Sequence, residues 1–103
     1  MIEELHDAVM DVIGDYYDFE FSFQHNEMRG NADEGDSLEE LTLWDDDYDF
    51  EVIIERGYKQ RADGPDMNWQ GTSIEGDYDA YVKWLKEKWP GVYEEAIEVL
   101  DND

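Results

Sequence analysis

The thirteen residues LWDDDYDFEVIIE, positions 43 to 55, limit what this chain can fold into more than any other stretch. Tyr48, Phe50, Val52 and Ile54 recur at every second position, with Asp49, Glu51 and Glu55 out of phase. A period of two belongs to a β-strand, whose side chains alternate between its two faces. The segment therefore reads as a strand with an apolar face toward a core and an acidic face toward water, entered through a turn at Asp45, Asp46 and Asp47. Those carboxylates repel one another. Such a surface serves either general solubility or the reception of something positive.

The flanking residues extend this strand into an α+β domain. Ile2, Leu5, Val9, Val12 and Ile13 have helical spacing, and Gly14 is a natural stop. In DFEFSFQ, residues 18–24, Phe19, Phe21 and Phe23 alternate with polar residues, which predicts a second half-buried strand. HNEMRGNADEGDS, residues 25–37, is polar and contains glycine, so it reads as a loop or a loose hairpin connection. LEELTLW fits two states. Ser37 and Glu40 could form a capping box for one helical turn, whereas Leu41, Thr42 and Leu43 suit a short strand; the turn that follows favours the strand. RADGP marks another turn, and MNWQGTSI a last strand. Asp77 can cap a helix carrying Tyr78, Tyr81, Val82, Leu85 and Trp89, which Pro90 ends while opening another with Val92, Ala96, Ile97 and Leu100. The expected fold is a single α+β domain over residues 1–103. It has an antiparallel sheet of three or four strands, with an N-terminal helix and two C-terminal helices packed on it.

Composition bounds the function. Thirty Asp and Glu face seven Lys and Arg, a formal charge of −23, so nucleic acid and anionic membrane are excluded as simply attracted partners. Hydrophobic residues at 41% and aromatics at 15% are too abundant for a disordered acidic tail. The charge is uneven. Residues 1–55 hold nineteen acids and one base, Arg29, whereas residues 56–103 hold eleven acids and six bases. An acidic surface adapted to high salt would be spread over the whole chain, which makes a halophile of other function the weaker explanation. The chain has no cysteine, an acidic N-terminus and no apolar run near the roughly 20 residues of a membrane span. These features point to a soluble protein inside the cell.

Motifs for chemistry are lacking. An EF-hand loop needs glycine at its sixth position and glutamate at its twelfth. Starting from Asp45 these are Phe50 and Arg56, and from Asp47 they are Val52 and Tyr58. His6 and His25 read as ordinary surface or boundary residues, and GTSIEG lacks the spacing and lysine of a phosphate loop. No nucleophile, base and orienting group form a set, so the expectation is no enzyme, no cofactor and no metal. Trp89 follows the apolar stripe of its helix and reads as core, Trp84 lies at the edge of that stripe, and Trp44 and Trp69 sit at strand ends; the core is the favoured reading for each, with a half-exposed anchor as the alternative for Trp44 and Trp69.

Alternate residues of a strand lie about 6.6 Å apart on one face. Successive phosphates of a DNA strand are separated by roughly 6–7 Å. Asp47, Asp49 and Glu51 could thus set carboxylates at phosphate spacing, with acceptor geometry that Arg and Lys also use on phosphate. With NADEGDS, WDDDYDFE and the closing DYDAYVKWLKEKWPGVYEEAIEVLDND, the chain resembles the small, acidic, phage-encoded DNA mimics of the anti-CRISPR and anti-restriction class. That class shares no motif from which a site could be transferred residue by residue. The resemblance implies a non-enzymatic inhibitor acting in the cytoplasm of a bacterial host. Its partner would be a basic nucleic-acid-binding protein, foremost a subunit of a CRISPR effector, bound by a monomer or homodimer. The residues expected to meet that partner are Asp45, Asp46, Asp47, Asp49, Glu51, Glu55, Asp33, Glu34, Asp36, Glu20 and Trp44. The alternative is an immunity protein or antitoxin that plugs a basic nuclease toxin.

Overall fold

In a computed structural model of the chain, the described residues are 1–14, 16–33 and 36–102; the side chains of residues 16, 17, 31–33 and 36 lie outside that description. Helix α1 (Ile2–Ile13) buries Ile2, Leu5, Val9 and Met10 along one stripe. It ends where Gly14 turns left-handed, at φ 68°, and donates its N–H to the Met10 carbonyl. A short helix α2 (Tyr16–Phe21) follows, then four strands: β1 (His25–Asp33), β2 (Asp36–Trp44), β3 (Phe50–Lys59) and β4 (Met67–Gly76). They form an antiparallel meander in the order β1-β2-β3-β4. Helix α3 (Tyr78–Lys88) starts from Asp77, whose carboxylate accepts from the Ala80 N–H at 3.1 Å. Pro90 opens α4 (Pro90–Asp101), where its missing N–H costs nothing. The α+β fold expected from the pattern is thus the observed one, with four strands and with residues 38–44 in a strand.

Two segments differ from expectation. Residues 18–24 are not a strand: α2 occupies the first part, and Ser22 to Gln24 form a bend. Phe19 and Phe23 are buried while Phe21 is 70% exposed. Phe19 from α2 and Phe23 from the bend both turn inward onto Trp84 and onto each other, whereas Phe21 at the end of α2 points away. Residues 25–33 are not a loop but the edge strand β1, paired with β2 without interruption from His25↔Trp44 to Asp33↔Asp36. An edge strand wet on both faces needs no apolar alternation, which is why its sequence carries none.

The core lies between the helices and one sheet face. Leu43, Phe50, Val52, Ile54 and Ile74 from the sheet meet Leu5, Val9, Phe19, Tyr81, Trp84, Leu85 and Ala96. Each enclosed Val, Leu, Ile or Phe side chain contributes roughly 1.5–3 kcal/mol. Trp84 is fully enclosed rather than at the stripe's edge, and its ring stacks on Phe23 with centroids 4.5 Å apart. Trp89 is only partly buried, its indole donating to Ser22 Oγ at 3.0 Å. His6 is also a core residue and not a surface one. Its Nδ1 lies 2.9 Å from the Tyr81 hydroxyl and its Nε2 2.8 Å from Thr72 Oγ1. A neutral imidazole has one donor and one acceptor, and hydroxyls can answer both. Burial lowers the His6 pKa to about 4 and raises that of the Tyr81 phenol. No described helix is long and apolar enough to cross a membrane.

Candidate binding face

The strand register decides which carboxylates share a surface. Leu43, Val52 and Ile74 are cross-strand partners that point into the core, so the residues one step along point to the opposite face. No core residue belongs to that opposite face. Its rows run across all four strands. His25, Trp44, Glu51 and Glu75 form one row, Glu27, Thr42, Ile53 and Ser73 the next, and Arg29, Glu40, Glu55 and Gly71 a third. A groove of about 600 Å³ opens at its upper end, lined in part by Glu27, Trp44, Asp49, Glu51 and Glu75.

Two pairs in these rows set like charges directly opposite each other, Glu40 with Glu55 and Glu51 with Glu75. Directly opposed like charges in a sheet cost roughly 0.2–1 kcal/mol each. Arg29 is the one base in the three rows, and it lies 3.7 Å from Glu27. The face is therefore built against its own stability.

The expected partner-binding residues divide into three groups. Glu51 and Glu55 lie on the open face, Trp44 lines its groove while stacked on His25, and Asp46, Asp47 and Asp49 sit in the adjoining turn. Asp46 is held by His25 Nε2 at 2.8 Å. Because β3 begins at Phe50, Asp47 and Asp49 precede the strand. The ladder Asp47, Asp49, Glu51 at regular strand spacing does not form. A second group points elsewhere. Asp45 is buried, with Oδ2 accepting from Trp84 Nε1 at 2.6 Å and Oδ1 accepting from the Gln24 N–H. Glu20 is largely covered and paired with Arg56 on the helix side of the sheet. Both are committed internally and leave the candidate face. Of the third group, Glu34 lies outside the described residues, and so do the side chains of Asp33 and Asp36, whose backbones end β1 and begin β2.

Glu27, Glu40 and Glu75 join the face although nothing in the sequence singles them out. Only register brings them beside Glu51 and Glu55, and register is not written in any one strand. Trp69 lies on the same face, further along, 43% exposed. Its indole covers Gly57, where any Cβ would collide with the ring. Among the described residues no cluster of three or more His, Asp or Glu is arranged to hold a metal ion. No protein family, curated protein or solved structure matches this chain.

Proposed function

We propose that this protein is a non-enzymatic inhibitor that occupies the basic nucleic-acid-binding surface of a bacterial defence complex, a CRISPR effector foremost, and excludes its DNA. The observation that carries this reading is the charge density of the open sheet face. Glu51 and Glu55 are separated by about 13 Å along β3, and within that length the face holds five glutamates against Arg29 alone. A DNA duplex carries one phosphate charge per about 1.7 Å of axis, hence roughly eight in 13 Å, about half of them turned to any one side. A net four on the protein face equals that figure. A groove lined with Arg and Lys meets similar charge at similar density from either ligand, and releases counterions on binding both. Charge alone would attract every basic protein, so Trp44, Trp69 and the shape of the groove supply discrimination.

The test is capture by the immobilised protein from lysates of bacteria that carry a CRISPR system, followed by competition with the captured complex's own target DNA. Saturating DNA is expected to release the complex, and the bound complex to lose DNA binding. A complex that stays bound at saturating DNA and still binds that DNA normally contradicts mimicry. Capture of a nuclease toxin alone would instead assign the chain to the immunity proteins.

A further inference from the structure

The sheet ends at β1, and no described element packs along that strand's outer edge. The other edge strand, β4, is flanked by α1, whose His6 bonds Thr72. Exposed edges are usually blunted by short length, proline, a bulge or charged side chains, lysine above all. β1 runs for nine residues with neither proline nor lysine and with unbroken pairing to β2; its charges are Glu27, Arg29 and Asp33, of both signs. Met28, near its middle, is 64% exposed.

We propose that β1 pairs with β1 of a second copy, antiparallel about a two-fold axis at Met28, to make one continuous eight-stranded sheet. Directly opposed residues of antiparallel strands share a sheet face, so a symmetric pairing must centre on a residue. Centring on Met28 sets Glu27 of each chain against Arg29 of the other, twice by symmetry. The neighbouring registers are worse. Centring on Glu27 or on Arg29 opposes that residue to its own copy, and centring on Gly30 opposes Glu27 to Asp33. Arg29 is the one base among the first 55 residues, and it stands where this register needs it. Asn26 and Met28 face the helix side of the sheet yet are exposed, so the helical layer stops short of β1 and leaves room for the second copy. The open acidic faces of the two copies then lie side by side. The pairing is independent of what that face binds.

Each copy carries a charge of −23, so long-range repulsion opposes association until salt screens it. The hydrogen-bonded edge is short and the interface small, which makes the dimer weak. Sedimentation of the intact protein, loaded at up to about 1 mM, should show a monomer in about 10 mM salt and a dimer in about 0.2 M. R29E and E27R should each weaken dimerisation at least ten-fold. An equimolar mixture of the two should form a heterodimer, because one chain then presents two arginines on this edge and the other two glutamates, opposed pair by pair. The chain has no cysteine, and opposed Cα atoms at about 4.5–5.5 Å lie within disulfide reach. M28C should therefore link to itself on mild oxidation, and N26C should not. A monomer at every salt and concentration overturns the proposal. So does a dimer that tolerates both single substitutions, a mixture that fails to associate, or N26C linking as fast as M28C.

Discussion

Replacing Asp45 with asparagine removes one charge from a chain of −23, and on charge alone it should stabilise the fold. The internal bonds predict the reverse. Both Asp45 oxygens accept, one from Trp84 Nε1 and one from the Gln24 N–H. Asparagine offers one acceptor, and its amide nitrogen faces whichever N–H is left. A buried polar group without a partner costs about 1–3 kcal/mol, and bonds to a charged acceptor lie toward the upper end. The relief of surface repulsion returns a few tenths of a kcal/mol. The net expectation is a loss of about 2 kcal/mol, which moves the urea midpoint down by about 1–2 M for a domain of this size. D46N, at the exposed neighbouring position, should change stability by less than about 0.5 kcal/mol. In a W84F background, which removes the indole donor, D45N should cost less, and that coupling separates the bond from any general effect of the site. Equal or greater stability of D45N at about 0.15 M salt would refute the internal role of Asp45.

Three further outcomes follow from the same structure. His6 has a folded-state pKa of about 4 against an ordinary 6.5, so the unfolded chain binds the extra proton between those values. That contribution, about 3 kcal/mol, is present above pH 6.5 and is lost as pH falls toward 4; the stability advantage of the wild type over H6Q should shrink over that window, and a constant difference contradicts it. Self-repulsion predicts a melting temperature that rises between about 10 mM and 0.5 M NaCl, and a flat or falling curve means the charges are already compensated. Gly76 has φ 136°, and a Cβ there would lie 2.4 Å from the Phe50 Cα, whereas Gly71 has open space. G76A should therefore destabilise by about 1–3 kcal/mol while G71A is close to neutral, and similar melting temperatures for the two would refute the strain at Gly76.

Where local pattern and tertiary packing agree, the sequence reads correctly. α1 has its stripe and its glycine stop, α3 its aspartate cap and α4 its proline, while β3 buries Phe50, Val52 and Ile54 as its alternation requires. Phe19, Phe21 and Phe23 mislead because aromatics at alternate positions imitate a strand, while the helix at Phe19 and the bend at Phe23 are selected only by packing against Trp84, 61 or more residues away. β1 is unreadable for the opposite reason, since its stability comes from β2 and not from a face of its own. Asp45 looks like Asp46 and Asp47 because its partner Trp84 is 39 residues away. The acidity of the candidate face is visible in Glu51 and Glu55, but its extent is not. Glu27, Glu40 and Glu75 enter by register alone.

The proposed function requires that the open sheet face, and not acidity in general, does the binding. Neutralising Glu40, Glu51, Glu55 and Glu75 together to glutamine tests it against a matched set on α4, Glu94, Glu95, Glu98 and Asp101. Association rates with the captured complex would be measured for both sets over a range of salt. The open-face set removes two opposed like-charge pairs, so its stability should rise, and a loss of binding could not be ascribed to unfolding. The open-face set should associate at least ten-fold more slowly and with a shallower salt dependence, and the α4 set should change by less than two-fold. Equal losses from the two sets would contradict the proposed function.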